Sequence, residues 1–246
     1  MGAAGGALAA GGLIAGLVAS RPQIVVVPND GAVPELPPED KRPAIVSRDD
    51  WGALSVDHSA RNEYGIYDRD RNPYGWYVYR ASLRASYQTL IIHHSAVYKS
   101  DGPATLMEIQ RLHREDRGWA DVGYHFMVDK GGTIYEGRDL TARGAHTAGF
   151  NTGSAGICLL GDFRFESPAR DQLEATLALI RWLVELLSPS HLAGHQQFNP
   201  ATLCPGSLLA AQLEGLARAA GLRFGIDGYR PAARAADHCG CCTCTL

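Results

Sequence analysis

The sequence predicts an α/β domain in which a mixed central β-sheet is flanked by helices. Short apolar runs alternate irregularly with amphipathic helical patterns, and one hairpin signature is present. Hydrophobic residues make up 46% of the 246 residues and charged residues 20%, a composition typical of a globular protein with a buried core. Most of the chain is therefore predicted to fold.

The strands are predicted from short runs rich in β-branched and aromatic residues. They are Tyr87–His93, Gly123–Asp129, Thr133–Glu136, Ala155–Leu160 and the strand end His191–His195. Lys130-Gly-Gly132 separates the second run from the third, and this turn sequence predicts a hairpin.

Three helices are predicted from capping residues and from apolar spacing. Thr105-Leu-Met-Glu108 has the form of a capping box, so one helix is predicted to open there and to stop at Gly118. A second helix is predicted to start at Ser167-Pro168, and a third to cover Gly206–Ala220. The apolar positions of the second helix are Leu173, Leu177, Ile180, Val184 and Leu187.

Charge and cysteine content exclude several classes of protein. Lys and Arg total 23 against 26 Asp and Glu, so the chain does not bind nucleic acid through bulk positive charge. Of the six Cys, only Cys158 and Cys204 lie in the body of the chain, and the other four lie within the last eight residues. This distribution is not that of a disulfide-stapled domain.

The two ends of the chain differ in composition from the predicted domain, residues 45–225. Residues 1–20 are rich in Gly and Ala, which fits a signal peptide, a membrane anchor or a flexible leader; we expect export by one of the first two routes. Residues 21–44 form a Pro-rich linker. The Cys-rich tail, residues 226–246, could bind a soft metal, but its terminal position favours disorder.

Nine His prompt a search for a metal site. His93 or His94 at a strand end, His195 and Cys204 form a nitrogen and sulfur set that suits Zn²⁺ and leaves a fourth position open. The spacing alone also fits scattered core histidines and an inert buried thiol.

Eight segments of the predicted domain carry recognisable motifs. In chain order they are Ile45–Ala53, Leu90–Ala96, Arg117–Phe126, Ile134–Arg138, Gly144–Asn151, Gly153–Ile157, Gly194-His195 and Cys204-Pro-Gly206. Together they resemble peptidoglycan recognition proteins, which share their fold with phage-lysozyme-type N-acetylmuramoyl-L-alanine amidases. The resemblance covers about Ile45 to Ala220 and assigns nothing to the long connection Val56–Thr89.

The resemblance implies the type 2 amidase fold and hydrolysis of the amide between N-acetylmuramic acid and L-alanine in peptidoglycan, with one Zn²⁺ per chain. It makes His93, His195 and Cys204 the metal ligands, and Tyr124 and Thr202 catalytic. The implied substrate-binding residues are His113, Arg117, Gly118, Trp119, His146 and Asn151. Within that set, Gly118-Trp119 matches the pair associated with diaminopimelate-type stem peptides.

Other hypotheses stay open at this point. A peptidoglycan-binding module without catalysis is one, although Cys204 argues against it because binding-only members of the family typically lack this residue. A zinc protease lacks its usual His-Glu-x-x-His helix. Tyr124 could be an ordinary strand aromatic, and Arg117 a charge that complements a helix dipole.

Overall fold

Seven short strands form one sheet in the computed structural model, which describes Met1 and residues 42–230. The strands are β1 (Ile45–Val46), β2 (Thr89–His94), β3 (Phe126–Val128), β4 (Ile134–Glu136), β5 (Ser154–Leu159), β6 (His191–Gly194) and β7 (Arg223–Phe224). Their order is β1-β4-β3-β5-β2-β6-β7. Among these described strands, β3 and β4 pair antiparallel and the other neighbours pair parallel. The predicted mixed sheet and its hairpin are confirmed.

The central strands of the sheet are buried on both faces, which explains their continuous apolar runs. The helices are α1 (Arg48–Trp51), α2 (Leu83–Ser86), α3 (Gly102–Arg111), α4 (Arg170–Leu187), α5 (His195–Phe198) and α6 (Ser207–Ala219). Every residue of β2 and of β5 is buried. Ile157 of β5 packs in the core cluster that includes α4 and α6, whereas its neighbour Cys158 packs in the cluster that includes α3. Successive strand residues thus serve opposite faces.

Helix α3 begins earlier than the predicted capping box. Its N-cap is Asp101, whose side chain accepts a hydrogen bond from the backbone N–H of Ala104. Thr105 lies inside the helix, where its hydroxyl donates to the Asp101 carbonyl at 2.6 Å. The Asp side chain satisfies a free N–H of the first turn, and Thr105 bonds back along the helix. The predicted N-cap at Thr105 is therefore wrong by four residues.

The other helix boundaries lie close to those predicted. A π-helical turn, Leu112–Asp116, follows α3, and Gly118 has a φ of +67° just beyond it, as expected of a residue that ends a helix. Helix α4 begins at Arg170, two residues after Pro168, and buries Leu177 and Leu187 completely.

The predicted chain ends fall mostly outside the described residues. The expected signal or anchor at residues 1–20 lies outside the described residues apart from Met1, as do residues 21–41 and 231–246.

The start of the predicted tail is described as far as residue 230. The Tyr229 ring packs on Phe150, and the Tyr229 hydroxyl donates to the Thr152 carbonyl at 2.6 Å. Within residues 42–230, no helix is long and apolar enough to span a bilayer.

A buried ion pair attaches the connection Val56–Thr89 to the domain. Arg138 is 1% exposed. Both terminal nitrogens of its guanidinium donate to the Glu63 carboxylate, at 2.6 and 2.9 Å. The guanidinium also lies 4.5 Å from the centre of the Trp76 ring, and Glu63 accepts the backbone N–H of Ala120. Charge, ring stacking and a backbone bond thus converge on one pair.

Glu63→Gln is expected to destabilise the domain strongly. The substitution keeps the size of the side chain but leaves the buried Arg138 charge without its counter-ion, which typically costs about 3–5 kcal/mol of unfolding free energy. Denaturant-induced unfolding followed by circular dichroism would measure the change.

The matched control is Glu174→Gln, which removes the partner of an ion pair whose Arg170 is 81% exposed. We expect no measurable shift of the unfolding midpoint there, because exposed pairs contribute little. A similarly small effect for Glu63→Gln would contradict an anchoring role for the buried pair.

Candidate metal centre and adjoining cleft

Parallel pairing of β2 with β6 brings two of the predicted ligands together. Ile92 of β2 lies opposite Gly194 of β6, so His93 and His195 follow at adjoining strand ends. Cys204 reaches the same point from the loop between α5 and α6. The candidate ligand atoms of the three side chains lie within 4.8 Å of one another, and Cys204 Sγ is 3.6 Å from His93 Nδ1. The fold therefore groups the three residues singled out by the resemblance.

His94, the alternative ligand on β2, serves the opposite face of the sheet. Its Nδ1 accepts a hydrogen bond from the backbone N–H of Phe163 at 3.3 Å and lies 3.8 Å from a carboxylate oxygen of Asp162. His94 contacts the ligand cluster through its backbone, because its backbone N–H donates to Cys204 Sγ at 3.4 Å. The cluster thus contains His93 and not the side chain of His94.

The protonation states of the cluster fit a divalent cation. Burial lowers the pKa of His93 well below its usual value, with the nearby His195 adding to the effect, and burial lowers the pKa of His195 to about 4. Both imidazoles are therefore neutral at pH 7 and have a lone pair to donate. Burial raises the pKa of the Cys204 thiol to about 12, so a bound cation would be needed to hold it as a thiolate. Two imidazoles and a thiolate form a donor set that Zn²⁺ prefers.

His146, one of the predicted substrate-binding residues, is in contact with His93, the first candidate ligand. Its Nδ1 is 3.0 Å from His93 Nε2, and the side chain is buried. Since Nδ1 of His93 faces the thiol of Cys204, Nε2 of the neutral ring carries the hydrogen and can donate it to His146. The Thr147 hydroxyl lies 3.0 Å from the same His146 nitrogen and 3.4 Å from His93 Nε2. A ligand histidine whose second nitrogen is held in this way keeps a fixed ring orientation.

Two glycines make room for the His146 ring. A Cβ atom at Gly144 would lie 2.5 Å from Cδ2 of His146, and one at Gly156 would lie 2.6 Å from the same atom. Backbone surrounds the imidazole closely, so its ring has little freedom to turn. His146 Nε2 is buried and has no hydrogen-bond partner among the described residues.

The Tyr124 ring stands beside the ligand cluster, with its centre 5.1 Å from that of His93. Burial, together with the thiols of Cys158 and Cys204, raises the pKa of Tyr124 well above its usual value of 10. Its hydroxyl therefore stays protonated at neutral pH and can serve as a hydrogen-bond donor.

Two further predicted site residues hold backbone groups. The Thr202 hydroxyl accepts a hydrogen bond from the backbone N–H of Cys204 at 3.2 Å, which places Thr202 next to a candidate ligand. Oδ1 of Asn151 accepts the backbone N–H groups of His146 and Thr147, each at 2.8 Å. Asn151 thereby fixes the turn that carries the buried imidazole.

A row of rings leads away from the candidate metal centre. The centre of the His113 ring is 5.4 Å from that of Tyr124 and 4.8 Å from that of Trp119. Burial lowers the pKa of His113 to about 3, and its Nδ1 accepts the backbone N–H of Gly123 at 3.0 Å. Arg117 lies two positions before Trp119 in the chain, and its positive charge, after that of Arg138, adds to the lowering of the His113 pKa. The structure thus brings the rings of Tyr124, His113 and Trp119 together.

The connection Val56–Thr89 contributes contacts that the sequence did not reveal. Asn62 donates two hydrogen bonds to the segment next to Trp119. Its backbone N–H donates to the Gly118 carbonyl at 2.9 Å, and its side-chain amide donates to the Arg117 carbonyl at 2.6 Å. Arg61 donates from Nη2 to the Asp116 carbonyl at 2.6 Å. These partners lie about 55 positions apart in sequence, and no local pattern links them.

Comparison with known proteins defines the class of the chain. The model of the N-acetylmuramoyl-L-alanine amidase family matches residues 83–207. The matched segment contains all three members of the candidate metal cluster and Tyr124. The chain belongs to this family.

Particular relatives include proteins named for recognition and for lysis. Peptidoglycan-recognition protein LB of Drosophila melanogaster is 35% identical over 180 residues, covering 69% of this chain and 67% of the relative. The endolysin of Enterobacteria phage T3 is 35% identical over 129 residues, covering 50% of this chain and 82% of the endolysin.

A solved structure confirms the predicted fold. Peptidoglycan recognition protein-LE, in complex with tracheal cytotoxin (monomeric diaminopimelic acid-type peptidoglycan), superposes with a TM-score of 0.57 at 30% identity. The match covers 70% of this chain and 92% of that protein. The chain thus shares the fold of peptidoglycan recognition proteins and type 2 amidases.

His146→Ala is expected to weaken Zn²⁺ binding by about 10–100-fold, because the His93 ring loses the group that holds its second nitrogen. Competition with a chromophoric chelator would measure the affinity. His146→Gln should recover part of it, since an amide oxygen can accept the same hydrogen bond.

His58→Ala is the matched control, because His58 is exposed and its ring contacts Trp76. It should leave Zn²⁺ affinity unchanged. If His146→Ala keeps full Zn²⁺ affinity and weakens only muropeptide binding, the substrate-binding role implied by the resemblance is the correct one.

Proposed function

We propose that the protein hydrolyses the amide bond between N-acetylmuramic acid and the L-alanine of the peptidoglycan stem peptide, in a zinc-dependent reaction. One observation carries the proposal: the donor atoms of His93, His195 and Cys204 lie within 4.8 Å of one another, beside a tyrosine whose hydroxyl stays protonated. Family membership supplies the substrate class, since the matched family model is that of N-acetylmuramoyl-L-alanine amidases.

An amide resists hydrolysis because its carbonyl is a weak electrophile and water is a weak nucleophile. His93, His195 and Cys204 would hold Zn²⁺, which would supply a Lewis acid that addresses both difficulties. Tyr124 donates its hydroxyl hydrogen to the oxygen that becomes negative as the carbonyl is attacked. Thr202, whose hydroxyl lies next to Cys204 and accepts its backbone N–H, keeps its own hydrogen available for the same purpose.

The stem peptide lies along the row of rings that begins at Tyr124. His113, Arg117 and Trp119 line this path. His146 contacts the ring of His93, and Asn151 accepts the backbone N–H of His146. The Gly118-Trp119 pair supports a diaminopimelate-type stem, as does the structural likeness to a recognition protein whose bound ligand is of that type. Because peptidoglycan lies outside the cytoplasm, the proposal includes export of the chain.

A binding module without catalysis is the second candidate. The relatives favour it in part, because they include proteins named for peptidoglycan recognition as well as an endolysin. The Cys204 thiol argues for catalysis, because a recognition surface has no need of a half-buried thiol placed 3.6 Å from a histidine nitrogen. The two functions differ in one outcome, the release of free peptide from the glycan.

The purified protein is expected to carry about one Zn²⁺ per chain and to release peptides with a free N-terminal L-alanine from diaminopimelate-type sacculi. Cys204→Ser should lose most of the metal and the activity, since a hydroxyl is a poor substitute for a soft thiolate. Elemental analysis and mass spectrometry of the released ends would measure both.

Cys239→Ser, in the C-terminal tail, is the matched control and should behave like the parent chain. Full metal content in Cys204→Ser would remove Cys204 from the ligand set. Tight binding of sacculi by the parent chain without any release of peptide would establish the recognition module instead.

Tyr124→Phe is expected to lower turnover by about 10²–10³-fold, because it deletes one donor to the developing oxyanion and keeps the ring. Zinc content and substrate affinity should remain close to those of the parent chain. Steady-state kinetics on a muramoyl-tripeptide would give the two constants separately.

Tyr64→Phe deletes a hydroxyl from a tyrosine that is 65% exposed, and it should leave kcat unchanged. A kcat for Tyr124→Phe within about threefold of the parent value would reduce Tyr124 to a packing role and require another oxyanion donor.

A further inference from the structure

An apolar cluster forms the layer of the core next to the candidate metal centre. Ile91 of β2 lies opposite Ala193 of β6, and each residue comes two positions before a candidate ligand. Residues two apart on a strand share a face and lie about 7 Å apart, so Ile91 packs on the face of the sheet that holds His93. The other members of the cluster are Phe198, Phe150 and Tyr229.

Two rings of this cluster belong to segments that carry the centre. Phe198 is the last residue of α5, the helix whose first residue is the candidate ligand His195. Phe150 lies in the turn that follows His146, where its backbone N–H donates to the Thr147 carbonyl at 2.9 Å. The centres of the two phenylalanine rings are 4.8 Å apart. The helix and the turn therefore meet at these rings.

Tyr229 contacts both segments at once. Its ring centre lies 5.4 Å from that of Phe150 and 5.6 Å from that of Phe198, distances at which aromatic rings attract each other. Its hydroxyl donates to the Thr152 carbonyl at 2.6 Å, further along the same turn. Tyr229 therefore joins α5 to the turn through two ring contacts and one hydrogen bond.

The segment that presents this tyrosine, residues 225–230, is bonded at both ends. The backbone N–H of Gly225 donates to the Leu192 carbonyl of β6 at 3.0 Å. The backbone N–H of Arg230 donates to Oε1 of Gln88, next to β2, at 2.9 Å. We refer to these six residues as the C-terminal strap. The strap lies beyond the segment that matches the amidase family model.

We propose that Tyr229 is a positioning residue for the metal centre, because it joins α5 to the turn after His146 and so holds His195 at the spacing that Zn²⁺ requires. It acts through Phe198 on the helix and through Phe150 on the turn. The C-terminal strap thereby supports the centre, although the family model does not cover it. The inference rests on the proposed function in one respect, that the centre binds Zn²⁺.

Zinc binding is sensitive to small displacements of a ligand. Zn²⁺ binds nitrogen and sulfur at about 2.0–2.3 Å, so two ligand atoms of a tetrahedral site lie about 3–4 Å apart. The donor atoms of His93, His195 and Cys204 lie within 4.8 Å of one another, close to that requirement. Since His195 begins α5, a small movement of this short helix displaces a ligand directly.

Tyr229→Ala is expected to weaken Zn²⁺ binding by about tenfold, the low end of the range for groups that hold a ligand in place. Competition with a chromophoric chelator would measure the affinity of the full-length chain. Tyr229→Phe should retain most of that affinity, because it keeps both ring contacts and deletes only the hydrogen bond to the Thr152 carbonyl.

Phe224→Ala is the matched control, because it removes a ring that is 40% exposed from β7, next to the strap. We expect it to leave Zn²⁺ affinity unchanged. Unfolding of each metal-free variant, followed by circular dichroism, separates lost stability from lost metal binding. The weaker affinity of Tyr229→Ala should persist at temperatures at which this variant is fully folded.

The coupling between the strap and the metal is reciprocal, so it can also be measured in the parent chain. A strap that raises Zn²⁺ affinity is itself stabilised when Zn²⁺ binds, by the same factor. Hydrogen exchange of residues 225–230, followed by mass spectrometry, should therefore slow by about tenfold on addition of Zn²⁺. Cys204→Ser, which lacks the thiol ligand, should show no such slowing at the same Zn²⁺ concentration.

Three results would overturn the inference. Tyr229→Ala could keep the parent affinity for Zn²⁺, Phe224→Ala could lose as much affinity as Tyr229→Ala, or exchange in the strap could fail to respond to Zn²⁺. Zn²⁺ binding that depends on Tyr229, in a chain that releases no peptide from sacculi, would instead count against the proposed hydrolysis and leave the role of Tyr229 supported.

Discussion

Parallel pairing of β2 with β6 is the constraint on which the candidate site depends. Parallel neighbours end at the same edge of a sheet, so the register that sets Ile92 against Gly194 also sets His93 beside His195. Those histidines are 102 positions apart in sequence, and nothing local could hold them within 4.8 Å of Cys204. Burial on both faces keeps this register, since a slip of one residue would turn His93 to the face that now holds His94.

Burial also decides the chemistry of the centre. It lowers the pKa values of His93 and His195 and raises that of the Cys204 thiol, so every member of the cluster is neutral before a cation binds. A neutral cluster avoids the cost of an uncompensated buried charge, and a bound divalent cation would stabilise the thiolate form of Cys204 as a ligand. His146 contacts the second ring nitrogen of His93, and Gly144 and Gly156 leave space for the His146 ring.

Local patterns predicted most of the fold but only part of the site. Apolar runs located β2 and β5, and the Lys130-Gly-Gly132 turn located the hairpin, because each pattern reflects burial or turn geometry within a few residues. The residue types offered His93 or His94 with His195 and Cys204 as candidate ligands, the resemblance selected His93, and the structure brings the three together. The start of α3 was missed because Asp101 competes with Thr105 as a cap, and only the three-dimensional structure shows which one bonds to the first turn.

The contacts made by the connection Val56–Thr89 were beyond the reach of sequence patterns for a different reason. Glu63 and Arg138 are 75 positions apart, and their pairing is visible only once the chain has folded. Long surface connections are ordinarily free to vary, since lengthening them costs little entropy. This connection is held by a buried charge, and that charge fixes Asn62 and Arg61 against the segment next to Trp119. A buried ion pair of the fold thereby sets the position of a cation at the surface of the cleft.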